Sequence, residues 1–99
     1  MAELDLPTIP HWIDGAPTAS RSGRTAPVFN PATGEAIAKV PLATLEELND
    51  AVAKAAEAQI GWAKTNPQRR ARVMMKFGAL INEHMDELAE LVSLEHGKT

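Results

Sequence analysis

The sequence contains no cysteine, so a disulfide scaffold and a zinc site built on thiolates are both excluded. No apolar run approaches the ~18 residues that suggest a membrane-spanning helix. Basic residues are not in excess, since the formal net charge is −3, whereas nucleic-acid-binding proteins usually present a basic face. Residues 1–7 carry neither the basic stretch nor the apolar stretch of a targeting peptide. These absences predict a cytoplasmic protein that binds neither nucleic acid nor membrane.

What the sequence does contain is the composition of a small globular protein. Its 99 residues are 44% hydrophobic and 23% charged, which is ordinary for about one domain. Residues 1–43 hold six of the seven prolines, whereas residues 44–99 are rich in Ala, Leu, Glu, Lys, Arg and Met, which favour helix. We therefore predict an α+β fold, with a flexible lead over 1–8 and β-hairpins over 9–43, followed by helices.

Two turns organise the predicted hairpin region. Asp14-Gly15 is a strong two-residue turn signal between short strands. In the second turn, residues 30–35, Pro31 fixes φ near −65° and Gly34 can adopt positive φ. The predicted strands are 9–13, 16–19, 25–29 and 36–40.

Local signals also delimit the predicted helices. Thr44 and Glu47 form a capping box that starts the first helix. Asn66-Pro67 starts the second, because Asn suits the N-cap and Pro suits the first helical position. A break is expected near His84, and Gly97 is the natural left-handed stop. The predicted helices are 44–63, 67–83 and 85–96.

No catalytic, cofactor-binding or metal-binding residue is predicted within the chain. Gly97-Lys98-Thr99 resembles the end of a phosphate-binding loop, but Val92 stands where that motif needs a glycine. The three histidines, His11, His84 and His96, show no spacing that builds a metal site.

Three arginines in the first turn of the second helix leave two interpretations open. Arg69, Arg70 and Arg72 oppose the helix dipole there. They can bind an anionic partner, such as carboxylates of another subunit or a phosphate. They can also form weak surface ion pairs or remain solvated, and the sequence favours this second interpretation.

Four segments together resemble, in order and spacing, the start of an aldehyde dehydrogenase, and the similarity covers nearly the whole chain from about residue 9. The segments 65–73 and 95–99 are narrower in distribution and look most like the CoA-acylating methylmalonate-semialdehyde dehydrogenases. The four segments are His11-Trp12-Ile13-Asp14-Gly15, Asn30-Pro31-Ala32-Thr33-Gly34-Glu35, residues 51–63 and Leu94-Glu95-His96-Gly97-Lys98-Thr99.

The resemblance implies the front part of a Rossmann-like α/β NAD-binding domain in an enzyme about five times longer. In that family a cysteine thiolate attacks the semialdehyde, a hydride passes to NAD, and CoA releases propionyl-CoA or acetyl-CoA with loss of CO2, a step of valine degradation. The catalytic cysteine, the cofactor loops and the CoA-handling residues would all lie beyond residue 99. The implied partners are the remainder of the enzyme and, in the parent, further copies in a dimer or tetramer.

Several alternatives remain open at this point. The parent can be another NAD(P)-dependent aldehyde dehydrogenase, or the chain can be a stand-alone helical module that docks on an intact paralogue. A degraded gene product without function is a third possibility. In every case the chain alone is expected to be inactive, because the thiolate that the chemistry requires is absent.

Overall fold

The structure is a computed structural model, and it describes residues 5–99. Two antiparallel hairpins precede three helices, which confirms the predicted α+β class. Within residues 5–99, no helix combines the length and the apolar character needed to cross a membrane. The elements are β1 His11–Ile13, β2 Ala16–Thr18, β3 Thr25–Phe29, β4 Ala36–Pro41, α1 Leu45–Lys64, α2 Pro67–Glu83 and α3 Met85–His96.

The first hairpin closes through the predicted Asp14-Gly15 turn. β1 and β2 pair antiparallel from His11–Thr18 to Ile13–Ala16. Asp14 has φ 55° and Gly15 has φ 76°. Positive φ at both central residues is the requirement of a type I′ turn, whose twist matches that of the flanking strands.

The second hairpin is longer and is irregular near its turn. β3 and β4 pair antiparallel, and the register shifts between Val28 and Phe29. The Asn30 N–H donates to the Glu35 carbonyl at 2.9 Å, and the Gly34 N–H donates to the Asn30 carbonyl at 2.8 Å. Gly34 has φ 76°, so a glycine fits this turn as the sequence predicts.

Part of the predicted lead pairs with β4. Residues 1–4 of the predicted flexible lead lie outside the described residues, but Thr8 forms a parallel bridge with Lys39. The Lys39 N–H donates to the Pro7 carbonyl at 2.9 Å, and the Ile9 N–H donates to the Lys39 carbonyl at 2.8 Å. The backbone of Pro7 and Thr8 thus pairs with the open edge of β4, a contact that the sequence does not predict.

The helix boundaries follow the local signals. The Asn66 Oδ1 accepts from the Gln68 N–H at 2.8 Å with Pro67 at the first helical position. His84 separates α2 from α3, and Gly97 ends α3 with φ 77°. α1 extends to Lys64, one residue beyond the predicted end, because Gly61 remains helical and its carbonyl accepts from the Thr65 hydroxyl.

The described chain is extended, and little of it is buried. Its radius of gyration is 17.3 Å, whereas a compact chain of this length has about 13 Å. The accessible surface is 8127 Å², against about 5,500 Å² for a compact monomer of this mass. Among the described residues, Ala38 is the buried hydrophobic residue, at 8% exposure. All three helices therefore present apolar side chains to solvent, which is the surface composition of a part that packs on something larger.

Candidate functional site

Glu47 connects the loop between the hairpins to the start of α1. Its carboxylate accepts from the Ser20 hydroxyl at 2.8 Å, from the Arg21 N–H at 3.0 Å and from the Thr44 N–H at 2.8 Å. The Glu47 N–H donates in return to the Thr44 hydroxyl at 3.0 Å. The predicted capping box is therefore confirmed, and it has a second use, since the same carboxylate holds a loop 26 residues earlier in the chain.

These donors stabilise the charged form of Glu47. The backbone N–H of Thr44 has the largest effect, followed by the Ser20 hydroxyl and the Arg21 N–H, and together they lower the pKa of Glu47 from 4.5 to about 2. Hydrogen bonds to a carboxylate favour ionisation in this way. The carboxylate is consequently a structural anion and is unsuited to proton transfer near neutral pH.

The structure brings the 30–35 turn and the 97–99 segment close together. A Cβ added to Gly97 would lie 3.1 Å from Pro31 Cγ, so the end of α3 approaches the 30–35 turn closely. The Gly97 N–H donates to the Ser93 carbonyl at 2.9 Å and closes the helix. Residues 97–99 thus follow a helix and terminate it, whereas a phosphate-binding loop follows a strand.

The histidines lie apart from one another. His84 Nδ1 lies 3.0 Å from a Glu87 carboxylate oxygen at the α2–α3 junction. His11 Nε2 is buried in β1 without a hydrogen-bond partner. Throughout residues 5–99, no three His, Asp or Glu side chains converge in a way that could hold a metal ion.

The arginine cluster of α2 divides into two kinds of residue. Within the part of the chain that the structure describes, the ion pairs are Lys54–Asp50 and His84–Glu87, and neither involves an arginine. Arg69 and Arg72 are exposed, whereas Arg70 is half-buried and its Nε is buried without a hydrogen-bond partner.

Sequence reasoning treated the three arginines as one cluster and so missed what sets Arg70 apart. Helical spacing is the signal that distinguishes it. Arg70, Val73, Phe77 and Ile81 follow one another at intervals of three and four residues, so they share one face of α2. Arg72 falls on the other side of the helix.

Shallow clefts lie beside the hairpins. One of about 340 Å³ lies between the first hairpin and α1, where Arg21, Glu47, Asp50 and Lys54 line it. A smaller one of about 250 Å³ is lined mainly by Pro10, Arg24 and Pro41 with their neighbours. Neither combines an enclosed apolar pocket with convergent reactive groups, which is the usual form of a catalytic site.

The strand pairs of the described residues differ from the usual dinucleotide-binding arrangement. Such a site uses parallel strands joined through a glycine-rich loop to a helix N-terminus, whereas both strand pairs of residues 5–99 are antiparallel. The helix N-termini follow Thr44, Asn66 and His84. Among the described residues, the feature that stands out is therefore the exposed apolar surface of the three helices.

Comparison with known proteins identifies the family of the chain. The model of the aldehyde dehydrogenase family matches residues 18–99, which is most of the chain. The chain belongs to the aldehyde dehydrogenase family, as the sequence resemblance indicates.

The curated relatives most similar to the chain include several semialdehyde dehydrogenases. The chain is 50% identical over 92 residues to malonate-semialdehyde dehydrogenase 2 of Geobacillus kaustophilus, and the match covers 93% of the chain and 19% of that protein. It is 52% identical over 91 residues to malonate-semialdehyde dehydrogenase 3 of the same organism, covering 92% and 19%. The chain thus spans about a fifth of the length of these relatives.

A solved structure resembles the chain in both fold and sequence. It is described as a methylmalonate-semialdehyde dehydrogenase from Sinorhizobium meliloti 1021, complexed with NAD. The TM-score is 0.88 at 53% identity, and the match covers 92% of this chain and 18% of that one. An aldehyde dehydrogenase structure from Bacillus subtilis matches with a TM-score of 0.85 at 33% identity, covering 92% and 20%.

Proposed function

We propose that the chain is the N-terminal structural segment of an NAD-dependent, CoA-acylating methylmalonate- or malonate-semialdehyde dehydrogenase, and that it is inactive by itself. The observation that carries the proposal is the joint agreement of fold and sequence with the Sinorhizobium meliloti protein, at a TM-score of 0.88 and 53% identity. The Bacillus subtilis structure matches the fold nearly as well at 33% identity, so the sequence identity favours the semialdehyde group.

The chemistry of the proposed parent belongs to parts of the family fold outside this chain. Oxidation of a semialdehyde through a thioester needs a cysteine thiolate, and the chain has no cysteine. NAD accepts the hydride in this chemistry, and CoA releases the acyl group. Because the chain has no cysteine and both strand pairs of residues 5–99 are antiparallel, we assign to this segment the role of packing on and stabilising the parts that carry the chemistry.

The proposal extends to assembly and location. The remainder of the enzyme is the direct partner, and the complete parent forms a dimer or tetramer in the cytoplasm, where it acts in valine degradation. The uncovered helix faces support the first of these points, because 8127 Å² of accessible surface is well above the value for a compact monomer.

A chimeric enzyme tests the proposal. The matching segment of the Sinorhizobium meliloti protein is replaced with this chain, and NAD reduction is followed with methylmalonate semialdehyde and CoA. We expect the chimera to retain at least about a tenth of the parental rate, since one order of magnitude corresponds to only about 1.4 kcal/mol of barrier. A chimera built likewise on the Bacillus subtilis protein is the matched control, and it should tolerate the replacement less well. Equal or better tolerance by the control would favour another aldehyde dehydrogenase as parent.

One observation bears on the alternative of a module that docks on an intact paralogue. An intact relative already contains a segment with the same fold, as the TM-score of 0.88 to one such relative records. Its own segment therefore fills the place that this chain would take. Saturable binding of the chain to an intact dehydrogenase would favour the module, and absence of such binding favours the segment.

A further inference from the structure

The tip of the first hairpin carries the single Asp-Gly pair of the sequence, Asp14-Gly15. A bond between the Gly15 amide nitrogen and the Asp14 carboxyl carbon would close a five-membered ring. Glycine has no Cβ, so residue 15 does not hinder the approach of its own nitrogen. Both residues are exposed, and nothing lies within 4 Å of a Cβ added at Gly15. The pair therefore has both the atoms and the open space for a reaction between side chain and main chain.

Neither reacting group is held by another part of the described chain. The Gly15 N–H is not a donor in any turn or loop hydrogen bond of residues 5–99. The ion pairs in those residues join Lys54 to Asp50 and His84 to Glu87, so no ion pair fixes the Asp14 carboxylate. Asp14 also borders a shallow cleft of about 450 Å³ against α1. Water therefore reaches the carboxyl group, and the amide nitrogen has no competing partner.

The turn geometry is the one protection that the pair has. Asp14 has φ 55° and Gly15 has φ 76°, as a type I′ turn requires. Such a turn sets ψ of its first central residue to about +30°, which directs the following nitrogen away from that residue's side chain. The Cα–C bond of Asp14 must therefore rotate before the ring can close. The reaction consequently takes place when the hairpin opens.

Opening of this hairpin requires little free energy. β1 and β2 pair over three residues each, and within residues 5–99 no third strand joins their sheet. An isolated two-stranded hairpin is at best marginally stable in water. Trp12, the largest side chain of the hairpin, is 72% exposed, so its packing adds little. Regions with few buried contacts open locally much more often than a core does, and the open form of this turn is therefore regularly populated.

We propose that Asp14-Gly15 is a site of spontaneous isoaspartate formation. The Gly15 nitrogen attacks the Asp14 carboxyl carbon and loses its proton, and a carboxyl oxygen leaves as water, which gives a cyclic succinimide. Water then adds to the former main-chain carbonyl and breaks its bond to the Gly15 nitrogen. The chain now continues through the Asp14 side chain, and the α-carboxyl group is free. One water is lost and one is gained, so the mass is unchanged and no oxidant or other reagent is needed.

The product no longer fits the turn. Isoaspartate adds one carbon to the main chain at residue 14, whereas a type I′ hairpin joins its strands through two residues of ordinary length with positive φ. The pairing of Ile13 with Ala16 is therefore lost, and the first hairpin remains open after modification. This inference is independent of the proposed function, because it uses only water and two residues of the chain itself.

Timed incubation of the full 99-residue chain in neutral buffer tests the site. Isoaspartate is counted by enzymatic methylation of its free α-carboxyl group with S-adenosylmethionine, and fragmentation mass spectrometry of tryptic peptides locates it. A synthetic peptide of residues 9–20 gives the rate without the folded hairpin. We expect the chain to react no more than about tenfold more slowly than the peptide, because the hairpin opens easily. A slower rate in the chain would show that the turn stays closed and would overturn the proposal.

Asp50 provides a control within the same chain. Its side chain is 63% exposed, but it lies inside α1, where the next N–H donates to a helical carbonyl. Ala51 also has a Cβ that hinders attack. We expect at least about ten times more isoaspartate at Asp14 than at Asp50. Equal amounts at the two positions would overturn the assignment to the turn.

Two substitutions of Asp14 test the route. Asp14→Asn keeps the turn, since Asn-Gly also suits type I′, and it reaches the same succinimide with ammonia as a better leaving group than water. Aspartate and isoaspartate should therefore both form at this position, and faster than isoaspartate forms in the wild type. Asp14→Glu would need a six-membered ring, which closes far more slowly, so labelling at residue 14 should disappear. An inert Asp14→Asn chain, or undiminished labelling of Asp14→Glu, would overturn the succinimide route.

Discussion

At the scale of single residues, Glu47 and Arg70 differ in how far the described residues satisfy their polar atoms. Glu47 accepts from Thr44, Ser20 and Arg21, so its charge is fully used within the chain. Arg70 has a shielded Nε without an acceptor. The first residue organises the chain internally, whereas the Nε of the second has no acceptor among the described residues. Both statements follow from the hydrogen bonds of individual atoms.

The titration of Glu47 gives a prediction at this scale. The folded pKa lies below the ordinary value, so the carboxylate's contribution to stability is present above pH 4.5 and is lost as the pH falls toward about 2. An NMR titration of the Glu47 carboxyl carbon should show a midpoint near 2. Ser20→Ala should raise this midpoint, because it removes one donor. A wild-type midpoint near 4.5 would mean that the loop is not held by this carboxylate.

At the scale of elements, the helices depend on caps and the hairpins on turn residues. Thr44, Asn66 and Gly97 each supply the local geometry that their helix ends need. These signals act over three or four residues, so the sequence alone predicts the helix ends to within a residue or so. The turn glycines are predictable for the same reason, since positive φ at Gly15 and Gly34 is a local requirement.

Contacts between distant residues could not be predicted in the same way. The pairing of Pro7 and Thr8 with Lys39 crosses about 30 residues, and no local pattern encodes it. The same holds for Ser20 and Arg21 on Glu47, where many acceptors were available in the sequence. The place of Arg70 on the apolar side of α2 was accessible from helical spacing, but its missing acceptor required coordinates.

Replacing two glycines with alanine should change helix stability in opposite directions. Gly97→Ala should destabilise the end of α3 by about 1–2 kcal/mol, because φ is 77° and the new Cβ would crowd Pro31 at 3.1 Å. Gly78→Ala should stabilise α2 by about 1 kcal/mol, because that glycine is inside a helix and nothing lies within 4 Å of the added Cβ. Helix content from far-UV circular dichroism, followed in urea, measures both. A gain from Gly97→Ala would contradict the left-handed stop.

The N-cap of α2 gives a further prediction. Asn66→Ala removes the acceptor of the Gln68 N–H, now bonded at 2.8 Å, and should cost about 1 kcal/mol. Asn66→Asp retains the acceptor and should preserve stability. The same urea titration distinguishes the two variants, and equal losses would show that the side chain does not cap the helix.

At the scale of the whole molecule, the surface is too large and too apolar for an independent domain. The extents of 52 × 36 × 17 Å describe a flat, extended body, and no layer of residues 5–99 covers the outer faces of its helices. Domains of this size are marginal even when compact, with about 0.1 kcal/mol of stability per residue. Under the proposed function, we therefore expect the segment to draw most of its stability from the rest of the enzyme.

This dependence predicts the behaviour of the chain alone. Its thermal unfolding should be broad, and the midpoint should change with protein concentration, because uncovered apolar faces associate. Calorimetry over a range of concentrations, with near-UV circular dichroism, measures this. A sharp, reversible and concentration-independent transition with a strong near-UV signal would indicate an independently folded domain.

The most direct test of the account is NAD reduction with methylmalonate semialdehyde and CoA, measured side by side for the chain alone and for the chimera with the Sinorhizobium meliloti body. The account predicts no turnover by the chain above the blank, because it lacks the thiolate, and clear turnover by the chimera. Turnover by the chain alone would contradict the structural role. A folded chimera without activity would contradict the proposed parent.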